Sequence, residues 1–513
     1  MKTFLTLLLV AASLISCTRD NPSQNAKIAE LRYGLPSEPN TLDPINPSNT
    51  ADGRSILFNV FEGLVKPDPK GALLPCAAES WHIGQDGLTY DFRLRGSVYF
   101  HDGSPLTSAD VQFTLESAIA AGFPGLSQIE KIETFSDADL RITLKHPDSE
   151  FLPFLTIGIV KAGNTDREKN INGIGPFFIE KYEIQRSLIL RRFSGYWQAP
   201  RLHDEPDTEA QGMHIPLEKV SIVFLHDSNA LLLALRGGSI DGAGITGSLI
   251  QQINDKRFDI TPYHSASVHV FALNNAVPAL SDRRVRKAIN YGVDIQKIID
   301  TAFFGWGEPS GSPLIPGLEI FYNKNLRNPY PYSAAQARAL LSQAGYGEAK
   351  HNKLSLEITV PSNYAMHIDT AQVIAGMLEN IGINTSIKQV DWASWLSDVY
   401  RDRRYEATII SLDAINISPR SFLSRYHSAS GNNFINFNNA NYDRTYEASL
   451  TEARMENRIA LYKEAQRIIS HEAASVYIQD ITGFNVFRAG AFGGIINYPL
   501  YVIDFASIYW TGK

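Results

Sequence analysis

Two short patterns in this chain place histidine and carboxylate side chains close enough in sequence to do chemistry together. His471 and Glu472 begin like the His-Glu pair of a metal-binding helix, which needs a second histidine one turn later so that two imidazoles face one ion. That second histidine is absent, so we predict that His471 is a surface helix residue. His101 and Asp102 could form an acid–base pair, but the glycine and proline that follow them favour a structural turn.

Other catalytic patterns are missing. The sequence contains no Gly-x-Ser-x-Gly turn for a hydrolase nucleophile, no phosphate-binding loop and no Gly-x-Gly-x-x-Gly dinucleotide turn. The segment 199–216 combines four acids and three prolines with His203 and His214. We interpret it as a solvated surface loop, with a metal site as the alternative. No catalytic residue, metal or cofactor is therefore predicted.

Composition and charge limit the classes of protein to which this chain can belong. The chain has 513 residues, of which 44% are hydrophobic and 20% charged, a globular composition with enough apolar mass for a large core. Its length predicts about three structural units, or two large lobes with insertions. The formal net charge is −7, so no basic field attracts nucleic acid. Two cysteines are too few for a disulfide framework or a four-thiolate zinc site.

The N-terminus has the pattern of an export signal. An apolar run from Phe4 to Ile15 follows Lys2 and is shorter than the roughly 20 apolar residues that span a bilayer. The run ends in Leu-Ile-Ser-Cys17, which is similar to a bacterial lipobox. We predict a signal peptide over 1–16, lipidation at Cys17 and a tether over 17–26, which puts the protein on the extracytoplasmic face of the cell envelope. The alternative is a plain secretory signal with an incidental cysteine. Cys76 is interpreted as a small buried hydrophobic residue.

The periodicity of apolar residues predicts the elements that must position any site. Strands are predicted over Thr89–Leu94, Leu354–Val360, Ile383–Ile387 and Tyr405–Leu412, and helices over 56–65, 108–120, 367–380 and 392–402. In the C-terminal half the strands and helices alternate, which is the signature of an α/β sheet with crossover helices.

Several blocks of sequence occur in one order at tight spacing. They are Ala78-Glu79-Ser80-Trp81, Asp86–Tyr90, Phe92–Arg95, Phe100–Val111, Gly173–Phe177, Tyr196-Trp197, Ala234–Asp241, Asn274, Ser281–Ile289 and Ala339–Tyr346. The ordered set resembles the signature of the family 5 extracellular solute-binding proteins, the oligopeptide, dipeptide and nickel receptors of ABC importers. The resemblance covers essentially the whole mature chain.

The resemblance implies an α/β, two-lobed periplasmic-binding-protein type II fold with an extra subdomain and a ligand cleft between the lobes. Lobe I would comprise 27–50, 166–268 and 481–513, the subdomain 51–165, and lobe II 269–480. The mechanism it implies is capture of a solute by closure of the lobes. The partners would be the transmembrane subunits of an ABC permease, and the protein would be a monomer that alters no covalent bond.

In peptide receptors of this family a carboxylate binds the ligand α-amino group just after a strand of lobe II. Aligned on Pro419, Phe422 and Leu423, that position holds Ile415, and the nearby tryptophan position holds Leu412. An apolar residue cannot neutralise a buried ammonium group. Either Asp413 serves instead, or the ligand lacks a free amine, as in a blocked peptide, a muropeptide, a nickel chelate or a sugar. An enzyme or adhesin-like surface protein is the third hypothesis.

Four further residues match ligand-site positions of the family. Trp392 matches a family position whose aromatic ring lines the cleft. The alternative is that Trp392 is a tryptophan of the hydrophobic core. Glu38 matches a cleft-edge acid, with a solvated loop acid as the alternative. Phe113 and Asn274 complete the set of expected ligand-binding residues.

Overall fold

The computed structural model describes residues 29–123, 125–198, 215–253, 256–347, 352–413, 418–452, 454–498, 500 and 502–512. Its strands are β1 (Glu30–Leu35), β2 (Val65–Pro67), β3 (Leu73–Pro75), β4 (Ala78–Ile83), β5 (Thr89–Leu94), β6 (Ile129–Thr134), β7 (Asp139–Leu144), β8 (Phe177–Glu183), β9 (Ser187–Arg192), β10 (Ile215–Pro216), β11 (Lys219–Phe224), β12 (Gly242–Thr246), β13 (Phe258–Leu273), β14 (Glu308–Pro309), β15 (Leu354–Pro361), β16 (Ile383–Val390), β17 (Ala407–Asp413), β18 (Ser475–Arg488), β19 (Phe492–Gly493) and β20 (Tyr509–Trp510).

Its α-helices are α1 (Ala51–Leu57), α2 (Ser108–Ala120), α3 (Ser228–Arg236), α4 (Gly247–Ile250), α5 (Pro278–Ser281), α6 (Arg283–Gly292), α7 (Ile295–Ala302), α8 (Ala334–Gln343), α9 (Ala365–Asn380), α10 (Trp392–Ser394), α11 (Arg420–Leu423), α12 (Ala440–Thr451) and α13 (Met455–His471). A π-helical segment, Trp395–Arg401, continues α10.

The largest sheet of the described chain runs through two lobes. Its order is β16-β15-β17-β13-β18-β12-β1-β11-β9-β8. The part from β12 to β8 belongs to lobe I and the part from β16 to β17 to lobe II. The two long strands β13 and β18 run through both parts. The fold is therefore the expected two-lobed α/β arrangement.

The crossing is the place where β13 and β18 pass from one lobe to the other. Phe258 to His264 pair with the lobe I half of β18, and Val268 onward pairs with the lobe II half. The register shifts between His264 and Val268, and Ala266 lies there with a φ of 57°. A shift in register with a residue in the left-handed region bends a strand locally, so the sheet changes direction at the crossing.

The extra subdomain has its own sheet and core. Its four strands lie in the order β4-β5-β7-β6, and α2 packs on them through buried residues such as Val111 and Leu115. Tyr90, Phe92 and Leu94 alternate inward along β5, the period-two pattern of a strand with one buried face. The subdomain therefore folds around its own apolar cluster.

Most of the predicted elements are confirmed, and one is wrong. The strand at Thr89–Leu94 and the helix at Ser108–Ala120 are observed with the predicted bounds. The predicted helix over 56–65 is wrong: α1 spans Ala51–Leu57. Thr50 caps that helix by accepting a hydrogen bond from the Gly53 N–H. The apolar residues Val60, Phe61 and Leu64 are buried from a turn and irregular backbone that lead into β2.

The polar patterns of the sequence also have defined places. His471 is the exposed last residue of α13, and Cys76 is buried, as predicted. His101 Nε2 lies 3.0 Å from the Gly175 carbonyl, while Asp102 accepts hydrogen bonds from Ser104 and Asn172. The predicted structural turn is confirmed, and its two side chains also tie it to a neighbouring loop.

Some predictions fall on residues that the structure does not describe. The signal peptide, Cys17 and the tether lie outside the described residues, as do Ile415 and most of the 199–216 segment. Within the described part of the chain, no group of three or more histidine, cysteine or acidic residues could hold a metal ion. No described helix has both the length and the apolar character needed to cross a bilayer.

Candidate ligand cleft

The two lobes turn the carboxyl ends of their parallel strands toward each other. In lobe I, β1 runs parallel to β11 and β12, and all three end toward the crossing. In lobe II, β15 runs parallel to β16 and β17, and Asp413 at the end of β17 pairs with Ser267 at the crossing. Ligands of open α/β sheets bind at these carboxyl edges, so the gap between the two edges is the candidate cleft.

Asp413 is the predicted site residue with the clearest position at this gap. Its side chain is exposed, and its backbone carbonyl accepts a hydrogen bond from Arg425 at 3.3 Å. Its charge also acts on Arg54 of α1: burial lowers the pKa of Arg54, and Asp413 and Asp52 oppose that shift. Asp413 therefore lies on the lobe II side of the cleft.

Trp392 lies at the same edge of lobe II, just after β16. Its ring stacks on Trp395 with centroids 5.2 Å apart and meets the edge of Tyr364 at 5.7 Å. Trp395 itself is buried, and its indole N–H donates to Thr408 at 3.0 Å. Trp392 is 38% exposed, so one face of an aromatic stack is open to solvent at the strand ends.

Leu412 and Asn274 lie inside lobe II. Leu412 belongs to its apolar core. Asn274 is buried, and its amide donates hydrogen bonds to the carbonyls of Arg403 and Tyr405 at 3.1 and 2.8 Å. These contacts hold the start of β17 against the end of β13.

Glu38 and Phe113 lie on the lobe I side. Glu38 follows β1, and its carboxylate accepts hydrogen bonds from the Tyr182 hydroxyl and, at 2.9 Å, from the Gln185 N–H. This ties the cleft edge to the β8–β9 hairpin. Phe113 on α2 is half-buried against the lobe I core.

A cavity of about 390 Å³ opens on the lobe I side, between α1, the subdomain and the C-terminal segment. Its walls are mainly apolar and include Leu57, Phe58, Phe61, Phe154, Leu500 and Val502. This volume and lining are typical of a small-molecule site.

The inner polar residues of this cavity satisfy one another. Glu62 accepts hydrogen bonds from the Tyr196 hydroxyl at 2.7 Å and from the Trp197 indole at 2.9 Å. Lys66 lies 3.5 Å from Glu62 and donates to Gln198 at 3.0 Å. Buried polar groups with partners cost little, so this end of the cavity is stable without a ligand.

A further contact, between the subdomain and lobe II, lies beside the cleft, and we name it the clasp. In it the subdomain residues Asp148, Ser149 and Glu150 meet the lobe II residues Ser418, Arg420, Ser449, Leu450 and Arg458. The Ser149 N–H donates to the Leu450 carbonyl at 2.8 Å, and Arg420 pairs with Asp148. Burial raises the pKa of Glu150, and Ser418 and Arg458 oppose that shift.

The clasp was not predicted from the sequence, and neither was the position of Arg54. Arg420 and Asp148 are distant in sequence, and no local pattern marks either residue. Asp413 and Trp392 were predicted from the family resemblance, Asp413 through the alignment on Pro419, Phe422 and Leu423, and Trp392 as a match to a family position.

Two lobes joined by two crossing strands, with facing strand ends and a cavity lined in part by Arg54, form the architecture expected of a solute-binding protein. The family described as bacterial extracellular solute-binding proteins, family 5 Middle, matches residues 72–434. The chain belongs to this family, whose members are the binding components of ABC importers and act outside the cytoplasm. It is a family of binding proteins rather than of enzymes.

Relatives of known name match almost the full chain. Heme-binding protein A of Haemophilus influenzae is 26% identical over 94% of this chain and 95% of its own. The periplasmic murein peptide-binding protein MppA of Escherichia coli is 23% identical over 96% and 95%. Among solved structures, the periplasmic binding protein DppA of Helicobacter pylori, in complex with the peptide STSA, has a TM-score of 0.77 at 23% identity, covering 94% of this chain and 98% of that one.

Proposed function

We propose that this protein captures peptides between its lobes and delivers them to the transmembrane subunits of an ABC permease, held at the membrane by lipid on Cys17. The observation that carries the proposal is the pair of facing strand edges, with Asp413 and the open face of Trp392 on one side and the cavity beside Arg54 on the other. The peptide-binding relatives support this ligand class.

The domain limits are part of the proposal. Lobe I takes 27–50, 166–268 and 481–513, the subdomain 51–165, and lobe II 269–480. The register shift between His264 and Val268 and the pairing of Val268 with Asp480 support the limits at the crossing. The crossing is then the hinge of lobe closure.

Within this proposal Asp413 binds the ligand amine in place of the usual carboxylate, and Trp392 packs against the ligand. Glu38, Phe113, Leu412, Ile415 and Asn274 complete the proposed set, with those inside lobe II acting as support for the strand end. A carboxylate that is exposed in the absence of ligand loses little hydration energy until the lobes close around an ammonium group.

A second candidate is the same scaffold with an amine-blocked or non-peptide ligand, such as a muropeptide, a nickel chelate or a sugar. Ile415 at the usual amine position favours it, as does the apolar wall of the cavity. A relative named for heme shows that the family is not restricted to peptides.

Calorimetry separates the two candidates. A set of free tripeptides and their N-acetylated forms is titrated into the wild-type protein, Asp413→Ala and the control Asp300→Ala, which removes an exposed acid of α7. Peptide capture through Asp413 predicts that free peptides bind, that acetylation weakens binding, and that only Asp413→Ala removes this preference. Binding of the acetylated forms alone favours the second candidate, and binding of neither set overturns peptide capture.

A further inference from the structure

Arg54 is a charged group with unused hydrogen-bonding capacity. It lines the cavity beside Leu57 and Phe58, and a guanidinium carries several N–H donors in a planar fork. Within the described part of the chain, one hydrogen bond is found, from Nη1 to the Asn49 carbonyl at 2.6 Å. No described acid lies within ion-pair distance of it.

The other charged groups that line the cavity have hydrogen-bond or ion-pair partners. Lys66 and Glu62 lie together with Tyr196 and Trp197, as described above, and Asp504 accepts a hydrogen bond from Tyr498 at 2.9 Å. Among the described lining residues, Arg54 is therefore the cation whose charge the protein does not match directly. A partly desolvated cation without a counter-ion costs free energy, which an anionic ligand would recover.

Asn49 supplies an independent observation at the same place. It lines the cavity, is 8% exposed, and its Oδ1 has no hydrogen-bond partner among the described residues. That oxygen lies over α1, 3.2 Å from where a Cβ on Gly53 would be. A buried acceptor without a donor is rare in folded proteins, and it complements a ligand N–H next to the guanidinium.

We propose that Arg54 and Asn49 form an anion subsite that receives the carboxylate and the adjacent N–H of a ligand whose apolar end fills the lobe I cavity. A peptide carboxyl terminus has this chemistry, since its last amide N–H lies beside its carboxylate. This inference rests on the proposed function and deepens it by assigning the orientation of the ligand, with the carboxylate on Arg54 and the amino end toward Asp413.

The test uses N-acetyl-Ala-Ala-Phe and the same peptide as its C-terminal amide, titrated into the full-length protein. The two probes lack a free amine, so Asp413 does not contribute to the difference between them. The variants are Arg54→Gln, Arg54→Lys and the control Arg444→Gln, which removes an exposed arginine of α12. Melting temperatures establish that each variant is folded.

We expect the amide to bind wild type roughly tenfold to a hundredfold more weakly than the acid, as for loss of a hydrogen-bonded charge pair. Arg54→Gln should bind both probes equally, Arg54→Lys should retain part of the preference, and Arg444→Gln should match wild type. If Arg54→Gln does not fold, the preference for the acid over the amide is compared between wild type and Arg54→Lys, and that comparison still tests the subsite.

Two results would overturn the inference. Equal binding of acid and amide by wild type, or an undiminished preference in Arg54→Gln, removes the anion subsite while leaving peptide capture intact. If neither these probes nor the free tripeptides bind, peptide capture itself fails, and the subsite proposed from it fails as well.

Discussion

The crossing and the clasp both join lobe II to the rest of the molecule, and both bury carboxylates, but they neutralise them differently. At the crossing, Asp480 is fully buried and lies 3.3 Å from the imidazole of His264, which can lose its charge near neutral pH. At the clasp, Asp148 and Glu150 meet Arg420 and Arg458, which stay charged at every accessible pH.

The crossing is a covalent connection between the lobes, whereas the clasp is held by non-covalent contacts. The strands of the crossing are covalently continuous, so a weaker ion pair there leaves the lobes joined. The clasp depends on non-covalent contacts alone, and Ser418 and Arg420 belong to the connection that leaves the cleft after Asp413. Loss of charge at the clasp should therefore cost more than loss of charge at the crossing.

The largest effect is expected from Arg458→Met. Removing one member of a buried charge cluster leaves Glu150 without that counter-charge, and such changes cost about 3 to 5 kcal/mol. The free energy of unfolding from urea titration measures the loss. Arg454→Met, at the exposed start of the same helix, is the matched control and should change stability by less than about 0.5 kcal/mol. Equal losses of unfolding free energy in both variants would show that the clasp contributes no more to stability than an exposed arginine does.

A second effect concerns the histidines of lobe II beyond the crossing. His269 and His367 stack with ring centroids 5.2 Å apart in the core. Burial lowers the pKa of His367 to about 4 and that of His269 well below its usual value. Because the unfolded chain takes up these protons more readily, stability should fall as pH drops from 6.5 toward 4, by about 3 kcal/mol for His367.

His367→Phe tests this assignment. The variant should lose less stability than wild type between pH 6.5 and 4, as measured by urea titration at several pH values. His82→Phe, which removes an exposed histidine of β4, should keep the wild-type slope. A wild-type slope in His367→Phe would mean that another group causes the acid destabilisation.

The smallest effect is expected from His264, which titrates in the opposite direction. The Asp480 carboxylate, 3.3 Å away, raises the pKa of His264, and burial opposes that shift. Its stabilisation is thus complete below pH 6.5 and is lost as pH rises through the folded-state pKa. Because 44% of the side chain is exposed, solvent screening limits the effect to a few tenths of a kcal/mol.

His264→Gln should flatten the decline of stability above pH 6.5 and leave the acid side unchanged. Differential scanning calorimetry of wild type and variant at matched pH values measures this. A change on the acid side instead would contradict the assignment of opposite roles to His264 and His367.

Local patterns predicted the elements well, because a buried face imposes a period on its own strand or helix. The bounds of β5 and α2, and the parallel strands of lobe II, follow from such periods. The prediction failed over 56–65, where apolar residues face inward from turns rather than from a helix. A turn can bury apolar side chains at helical spacing, so periodicity alone did not separate the two.

The sequence by itself determined the family, the lobe architecture and the strand end that carries Asp413, since these depend on ordered blocks and on the alternation of elements. Only the tertiary structure decided the contacts of the clasp, in which Asp148 and Glu150 of the subdomain meet Arg420 and Arg458 of lobe II. These groups come from segments far apart in the chain, and their pairing follows from how the lobes pack, which no local pattern records.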